Sequence, residues 1–184
     1  MHRYFLATIN FAIAGNDRGQ RLNAYQFELK TIDGERLPLK DYEGKVIFIV
    51  NTASQCGFTP QYKELQALWG RFREKQFILL GIPSNDFGNQ EPGDAGEIKE
   101  FCQLNYDTDF TLSEKISVKG EKAHPFYQWV ATHKDGAAVP KWNFHKIIVD
   151  REGRLAAWFD SAAEPLDQKV VTTIERLLAE EESG

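Results

Sequence analysis

The stretch Val46-Ile47-Phe48-Ile49-Val50-Asn51-Thr52-Ala53-Ser54-Gln55-Cys56-Gly57-Phe58-Thr59-Pro60 decides the fold. Its first five residues are apolar on both faces and mostly β-branched, the composition of a central parallel strand. Thr59 then offers an N-cap oxygen and Pro60 a first-turn proline, so a helix is predicted from there. Leu65, Leu68, Trp69 and Phe72 follow at i, i+3, i+4 and i+7 and give that helix a core-facing stripe. Cys56 stands between strand and helix. The free N–H groups and dipole of a helix start favour a thiolate, the nucleophilic form, which at an unperturbed pKa of about 8.5 is scarce at neutral pH. The competing reading is a small buried cysteine.

Elements on either side fit an α/β order. Tyr25 to Leu29 and Leu37 to Leu39 read as strands around Asp33-Gly34, an N-terminal β-hairpin. Phe77 to Ile82 is a second apolar strand. Asp94 with Glu97 is a capping-box pattern opening a helix through Ile98 and Phe101. Phe126, Trp129 and Val130 mark another helix. Ile147-Ile148-Val149 and Leu155 to Phe159 flank Asp150-Arg151-Glu152-Gly153 as an antiparallel hairpin. Val170, Val171, Ile174, Leu177 and Leu178 share one face of a last helix. Periodicity alone supports an α/β domain with a mixed central sheet flanked by helices.

The 184 residues, 42% of them apolar, suffice for one domain with a sizeable core, read over 24–184. Residues 1–23 read as a lead-in. The apolar patch from Tyr4 to Ala14 has the flavour of a signal remnant but is short, contains Thr8 and Asn10, and has little positive charge before it. A cytoplasmic location is favoured over a periplasmic one. The tail Glu180-Glu181-Glu182 reads as a frayed helix end. A net charge of −5, spread along the chain, argues against nucleic acid as partner. No apolar run reaches the ~18 residues of a membrane span. The two cysteines and four histidines form no metal-ligand spacing, and no cofactor is expected. His124, His133 and His145 are expected on loop or helix surfaces.

Asn51 to Pro60, Ile82 to Gly93 (Ile-Pro-Ser-Asn-Asp-Phe-Gly-Asn-Gln-Glu-Pro-Gly) and Lys141-Trp142-Asn143-Phe144 together resemble, in order, the motifs of the glutathione peroxidase family. The resemblance runs from about Tyr25 to the last helix. It implies a thioredoxin-like fold, reduction of hydroperoxides, and a site of Cys56, Gln90, Trp142 and Asn143, with Cys56 exposed at its centre. Attack of a thiolate on a peroxide oxygen expels the other oxygen with developing negative charge. Two amides and an indole N–H can donate to that charge without titrating. Taken singly, Gln90 reads as a loop residue, Trp142 as a core aromatic and Asn143 as a turn former.

Cys102 shares the apolar face of Ile98 and Phe101, the spacing of a core cysteine. Its segment, Glu100-Phe101-Cys102-Gln103-Leu104-Asn105-Tyr106, resembles the resolving segment of relatives that use thioredoxin. The resemblance implies a Cys56–Cys102 disulfide, formed after unwinding of the Asp94 helix with Cys102 in its last turn. Ser84 stands where many relatives have a cysteine. Thioredoxin is then the expected reductant in preference to glutathione, since no cluster of Arg and Lys stands near the motifs. The short Thr132–Lys141 connection resembles that of monomeric relatives. A peroxide sensor that passes its disulfide to a client protein is the alternative function.

Overall fold

The computed structural model describes residues 22–180. Residues 1–21 and 181–184, which hold most of the lead-in and of the acidic tail, lie outside the described residues.

Among the described residues there are seven strands and four helices, and all but the fifth strand follow the predicted order. The strands are β1 (Glu28–Lys30), β2 (Arg36–Pro38), β3 (Val46–Thr52), β4 (Phe77–Pro83), β5 (Thr111–Leu112), β6 (Lys146–Val149) and β7 (Leu155–Phe159). The helices are α1 (Gln61–Phe72), α2 (Ala95–Tyr106), α3 (Pro125–Ala131) and α4 (Gln168–Ala179). β1 and β2 pair as an antiparallel hairpin, and the other five strands form a mixed sheet in the order β5-β4-β3-β6-β7. β3 is central, parallel to β4 on one side and antiparallel to β6 on the other. This is the thioredoxin-like arrangement.

The burial of β3 follows from its sequence. All seven of its residues are buried. Val46, Phe48 and Val50 pack with α1, α2 and α4, while Ile47 and Ile49 pack with α3 and the β1–β2 hairpin. A strand between two apolar layers has no use for a polar face, hence its unbroken Val/Ile/Phe run.

Four local expectations are corrected. Tyr25 and Gln26 belong to a 3-10 turn begun by the Asn23 side chain, and the first strand starts at Glu28. β5, two residues long, carries too little pattern to be read from sequence. His145 is buried, with Nε2 2.9 Å from the Ala138 carbonyl, and burial lowers its pKa to about 4. α2 continues a full turn beyond Cys102, to Tyr106. The capping box at its start is present in both halves: the Glu97 amide donates to the Asp94 carboxylate and the Asp94 amide to the Glu97 carboxylate, each at 2.9 Å.

Candidate active site

The chain leaves β3 at Thr52 and turns tightly before α1. Thr59 does not cap the helix with its side chain, as spacing predicts; Pro60 takes the N-cap position without a side-chain bond. The Thr59 hydroxyl instead donates to the Ala53 carbonyl at 2.8 Å and accepts from the Cys56 amide at 2.9 Å. The Thr59 amide in turn donates to the Cys56 carbonyl at 3.0 Å. The turn is thus cross-braced by one threonine. The Phe58 amide donates to Cys56 Sγ at 3.3 Å. Cys56 is a free thiol only 9% exposed, less open than the sequence reading has it, because the turn folds its side chain against the edge of the core.

The loop after β4 comes to this turn: the Gln55 amide donates to the Gln90 carbonyl at 3.0 Å. Asn143 is fully buried, and its Nδ2 donates to Gln90 Oε1 at 2.8 Å. With Oε1 taken, the Gln90 NH2 remains as the donor end of that amide. Trp142, 38% exposed, tilts against Phe87 with ring centres 5.7 Å apart. Asn51, at the end of β3, ties this third segment in place: its Nδ2 donates to the Trp142 carbonyl at 3.0 Å, and its own carbonyl accepts the Phe144 amide at 2.7 Å. Gly88 lies between Trp142 and Gln90 with φ +67, and a Cβ there would meet the Trp142 ring at 3.3 Å and the Gln90 side chain at 3.4 Å. The left-handed φ favours glycine, and any side chain there would also crowd the Trp142 ring.

Gln90, Trp142 and Asn143 are gathered in one place, hydrogen-bonded through Gln55 to the Cys56 turn. Cys102 is not among them. It faces inward from α2 and is fully buried beside Tyr62, and burial raises its thiol pKa to about 11. A groove of about 360 Å³ separates the elements that carry the two cysteines. Ser54, Gln55 and Glu91 line one wall; Glu97, Ile98 and Phe101 of α2 line the other.

Sequence reading missed several residues that shape this site. Asn51 and Gly88 lie inside the quoted motifs, but their tasks become visible only when the strands meet. Lys146, wholly buried, donates to Gln61 Oε1 at 2.7 Å and to the carbonyls of Ser161 and Ala163. It clamps the first residue of α1, and burial lowers its pKa to about 8. Its one sequence signal is a charge heading a strand that is otherwise apolar. Basic residues also come closer to the motifs than the linear order shows. Lys119 sets its ammonium 4.4 Å from the Phe87 ring centre, and Lys115 donates to the Glu91 and Gly93 carbonyls. Among the described residues, no group of three His, Cys, Asp or Glu is placed to share a metal ion, and no helix is long and apolar enough to cross a membrane.

Comparison with known proteins gives a consistent set of relatives. The family model for glutathione peroxidase matches residues 24–131. A hydroperoxy fatty acid reductase from Synechocystis is 47% identical over 162 residues, covering 84% of this chain and 95% of the relative. A glutathione peroxidase-like peroxiredoxin from Schizosaccharomyces pombe is 45% identical over 143 residues, covering 77% of this chain and 90% of the relative. Among solved structures, the crystal structure of T. cruzi GPX1 has a TM-score of 0.67 at 26% identity and covers 85% of this chain and 97% of that one.

Proposed function

The chain belongs to the glutathione peroxidase family and is a thiol peroxidase that reduces hydroperoxides, and from that premise we propose that Cys56 is its nucleophile, Cys102 its resolving cysteine and thioredoxin its reductant. The observation that carries the assignment is the Gln90–Asn143 bond, with Trp142 beside it, laced by the Gln55 amide onto the Cys56 turn.

The chemistry follows from those groups. Cys56 Sγ, with the Phe58 N–H directed at it, attacks the distal peroxide oxygen. The O–O bond breaks, and the departing alkoxide or hydroxide gathers negative charge. The Gln90 NH2 and the Trp142 indole N–H donate to it, and Asn143 keeps Gln90 in the donating orientation. Cys56 becomes a sulfenic acid, which must be reduced before peroxide carries it to the sulfinic acid. Cys102 takes that role by forming a disulfide, which thioredoxin opens through a mixed disulfide.

Supporting this pairing, α2 buries few side chains and lies across a groove from the Cys56 turn. A disulfide needs Cα atoms within about 7 Å, and the inward-facing Cys102 reaches Cys56 by local unwinding of α2. The relatedness to a hydroperoxy fatty acid reductase supports acyl hydroperoxides as substrates alongside hydrogen peroxide. The short 132–141 connection supports a monomer, for which light scattering at micromolar concentration is the check.

Steady-state turnover with thioredoxin and with glutathione, in the parent and in Cys56→Ser and Cys102→Ser variants, tests the reading. Cys56→Ser is expected to lose all peroxide consumption. Cys102→Ser should consume one equivalent, accumulate sulfenic acid and stop with thioredoxin. Full thioredoxin turnover by Cys102→Ser overturns the two-cysteine scheme.

A further inference from the structure

The groove between the two cysteine-bearing elements contains an ionisable group for which peroxide cleavage has no use. Glu91 follows Gln90 in the chain, yet its side chain takes no part in the Gln90–Asn143 cluster. It is 1% exposed, and Oε2 is buried without a hydrogen-bond partner. Its backbone is held firmly: the amide donates to Asn85 Oδ1 at 2.9 Å, and the carbonyl accepts from Lys115 Nζ at 3.1 Å.

The surroundings are unusual for a core. Thr52 Oγ1, Ser54 Oγ and the Tyr62 hydroxyl are likewise buried and unpartnered. The Ser54 hydroxyl and amide both lie close enough to interact with the Glu91 carboxyl, though neither makes a well-aligned bond, and the Glu91 charge is felt at both Tyr62 and Cys102. The Tyr62 hydroxyl is close enough to Cys102 and Thr52 to interact with each, yet forms no well-aligned bond with either. These polar groups face one another in a buried seam with few well-aligned hydrogen bonds among them, an arrangement that leaves room for a proton to move. Two are on the Cys56 side, at Thr52 and Ser54, and Tyr62 is in contact with Cys102. Glu91 lies between.

We propose that Glu91 is the proton-transfer group of disulfide formation, taking the proton of the Cys102 thiol and delivering it to the oxygen that leaves Cys56. The inference rests on the two-cysteine reading above. In this step the Cys102 S–H bond breaks and its proton passes to the Glu91 carboxylate. The Cys102 sulfur pair attacks Cys56, the S–S bond forms, and the S–O bond of the sulfenic acid breaks. The departing oxygen takes the proton from Glu91 and leaves as water. The Cys102 sulfur is oxidised, the Cys56 sulfur is reduced to the disulfide level, and Glu91 ends as it began. Because Glu91 belongs to the loop rather than to α2, it stays on the Cys56 wall of the groove when α2 opens and Cys102 arrives.

Burial also raises the Glu91 carboxyl above its ordinary range, toward the operating pH at which a proton carrier is most effective. The titratable groups around it are Lys115 beside its backbone, Tyr62 on α1, and Glu97 and Cys102 on α2.

The test separates the two chemical steps in the full chain. One equivalent of hydrogen peroxide is added to parent, Glu91→Gln and Glu91→Asp. Cys56 sulfenic acid is trapped with dimedone, and the Cys56–Cys102 disulfide is followed by quenched mass spectrometry from pH 6 to 9. Glu91→Gln should form sulfenic acid at the parental rate but close the disulfide about 100-fold more slowly at pH 7, approaching the parent as the pH rises and Cys102 ionises unaided. Glu91→Asp should keep the parental pH dependence at an intermediate rate. A Glu91→Gln protein whose disulfide step matches the parent in rate and pH profile overturns the inference and leaves the two-cysteine reading standing. Loss of both steps by a common factor also overturns it, making Glu91 a support for the Cys56 turn. A parent that forms no such disulfide removes the reading itself.

Discussion

α1 and α2 are each twelve residues long and each serves one cysteine, yet they are held to the sheet very differently. α1 buries Gln61, Tyr62, Leu65, Leu68 and Phe72, and Lys146 clamps its first residue from below. α2 buries only Ile98 and Cys102, and leaves Leu104 77% exposed. At about 1.5–3 kcal/mol per fully buried large aliphatic or aromatic side chain, the difference amounts to several kcal/mol of attachment. α2 is secured at its start by the capping box, in its middle by an exposed Lys99–Asp33 pair worth at most about 1 kcal/mol, and at its end by Tyr106 against Tyr62 and Phe101. Its far end closes on Asp107 with φ 50, a left-handed conformation that ends many helices and that Asp tolerates better than most residues. The turn that carries Cys56 thus leads into the more deeply packed helix, and Cys102 stands on the less deeply packed one.

The severest challenge to that contrast is Tyr62→Ala. The Tyr62 ring packs with Tyr106, Phe110 and Phe144, centres 5.3, 6.4 and 5.4 Å away. Its loss should lower global stability by about 3–5 kcal/mol in urea unfolding. Ile98→Ala should act differently, raising amide exchange along α2 well before global stability falls. Equal global effects from the two would show that α2 is as firmly held as α1.

Thr59→Val keeps the shape and deletes both hydroxyl bonds of the Cys56 turn. It should cost about 1–3 kcal/mol and slow sulfenic acid formation, with no change in α2 exchange. A parental rate would mean that the turn does not depend on its brace.

Alkaline pH probes the other helix. The Cys102 thiol titrates near 11 in the folded chain, from a reference of 9.0. The folded state therefore binds more protons than the unfolded state between those values, so stability is full below about pH 9 and declines as the pH rises toward 11. The loss should reach at most about 3 kcal/mol and should vanish from the difference curve of a Cys102→Ser variant. An unchanged pH profile in that variant would place the titration elsewhere.

The mildest change is Asp94→Ala, which removes one half of the capping box at a cost of about 1 kcal/mol. Exchange from Glu97 to Tyr106 should quicken about five-fold, with the Cys56 turn unaffected. Disulfide closure should quicken with it if opening of α2 limits that step.

What was legible in the sequence was whatever is encoded within a few residues. The Val46–Val50 run, the α1 stripe, the Asp94–Glu97 box and the Asp150–Gly153 turn are local patterns, and each forms as read. The three motifs that carry Cys56, Gln90, Trp142 and Asn143 could be read at all because each is a short contiguous string. Thr59 shows where local rules stop. Its position before Pro60 satisfies the N-cap pattern, but the tight return of the chain brings the Cys56 amide and Ala53 carbonyl within reach, and the hydroxyl bonds them instead. Cys102 shows the same limit along a helix, since how far α2 runs past it depends on Tyr106 packing against Tyr62 and Phe101.

By itself, then, the chain determined its element order, its two-faced central strand and the presence of a cysteine at a strand–helix junction, because hydrophobic periodicity and capping are short-range properties. Only the tertiary structure decided that Asn143 bonds Gln90, that Lys146 lies beneath α1, that Glu91 is buried in the wall of the groove facing α2, and that α2 buries fewer side chains than α1. Those depend on which groups are buried against each other across distant segments, and the energy of a buried polar group is set by its neighbours in space rather than by its neighbours in the chain.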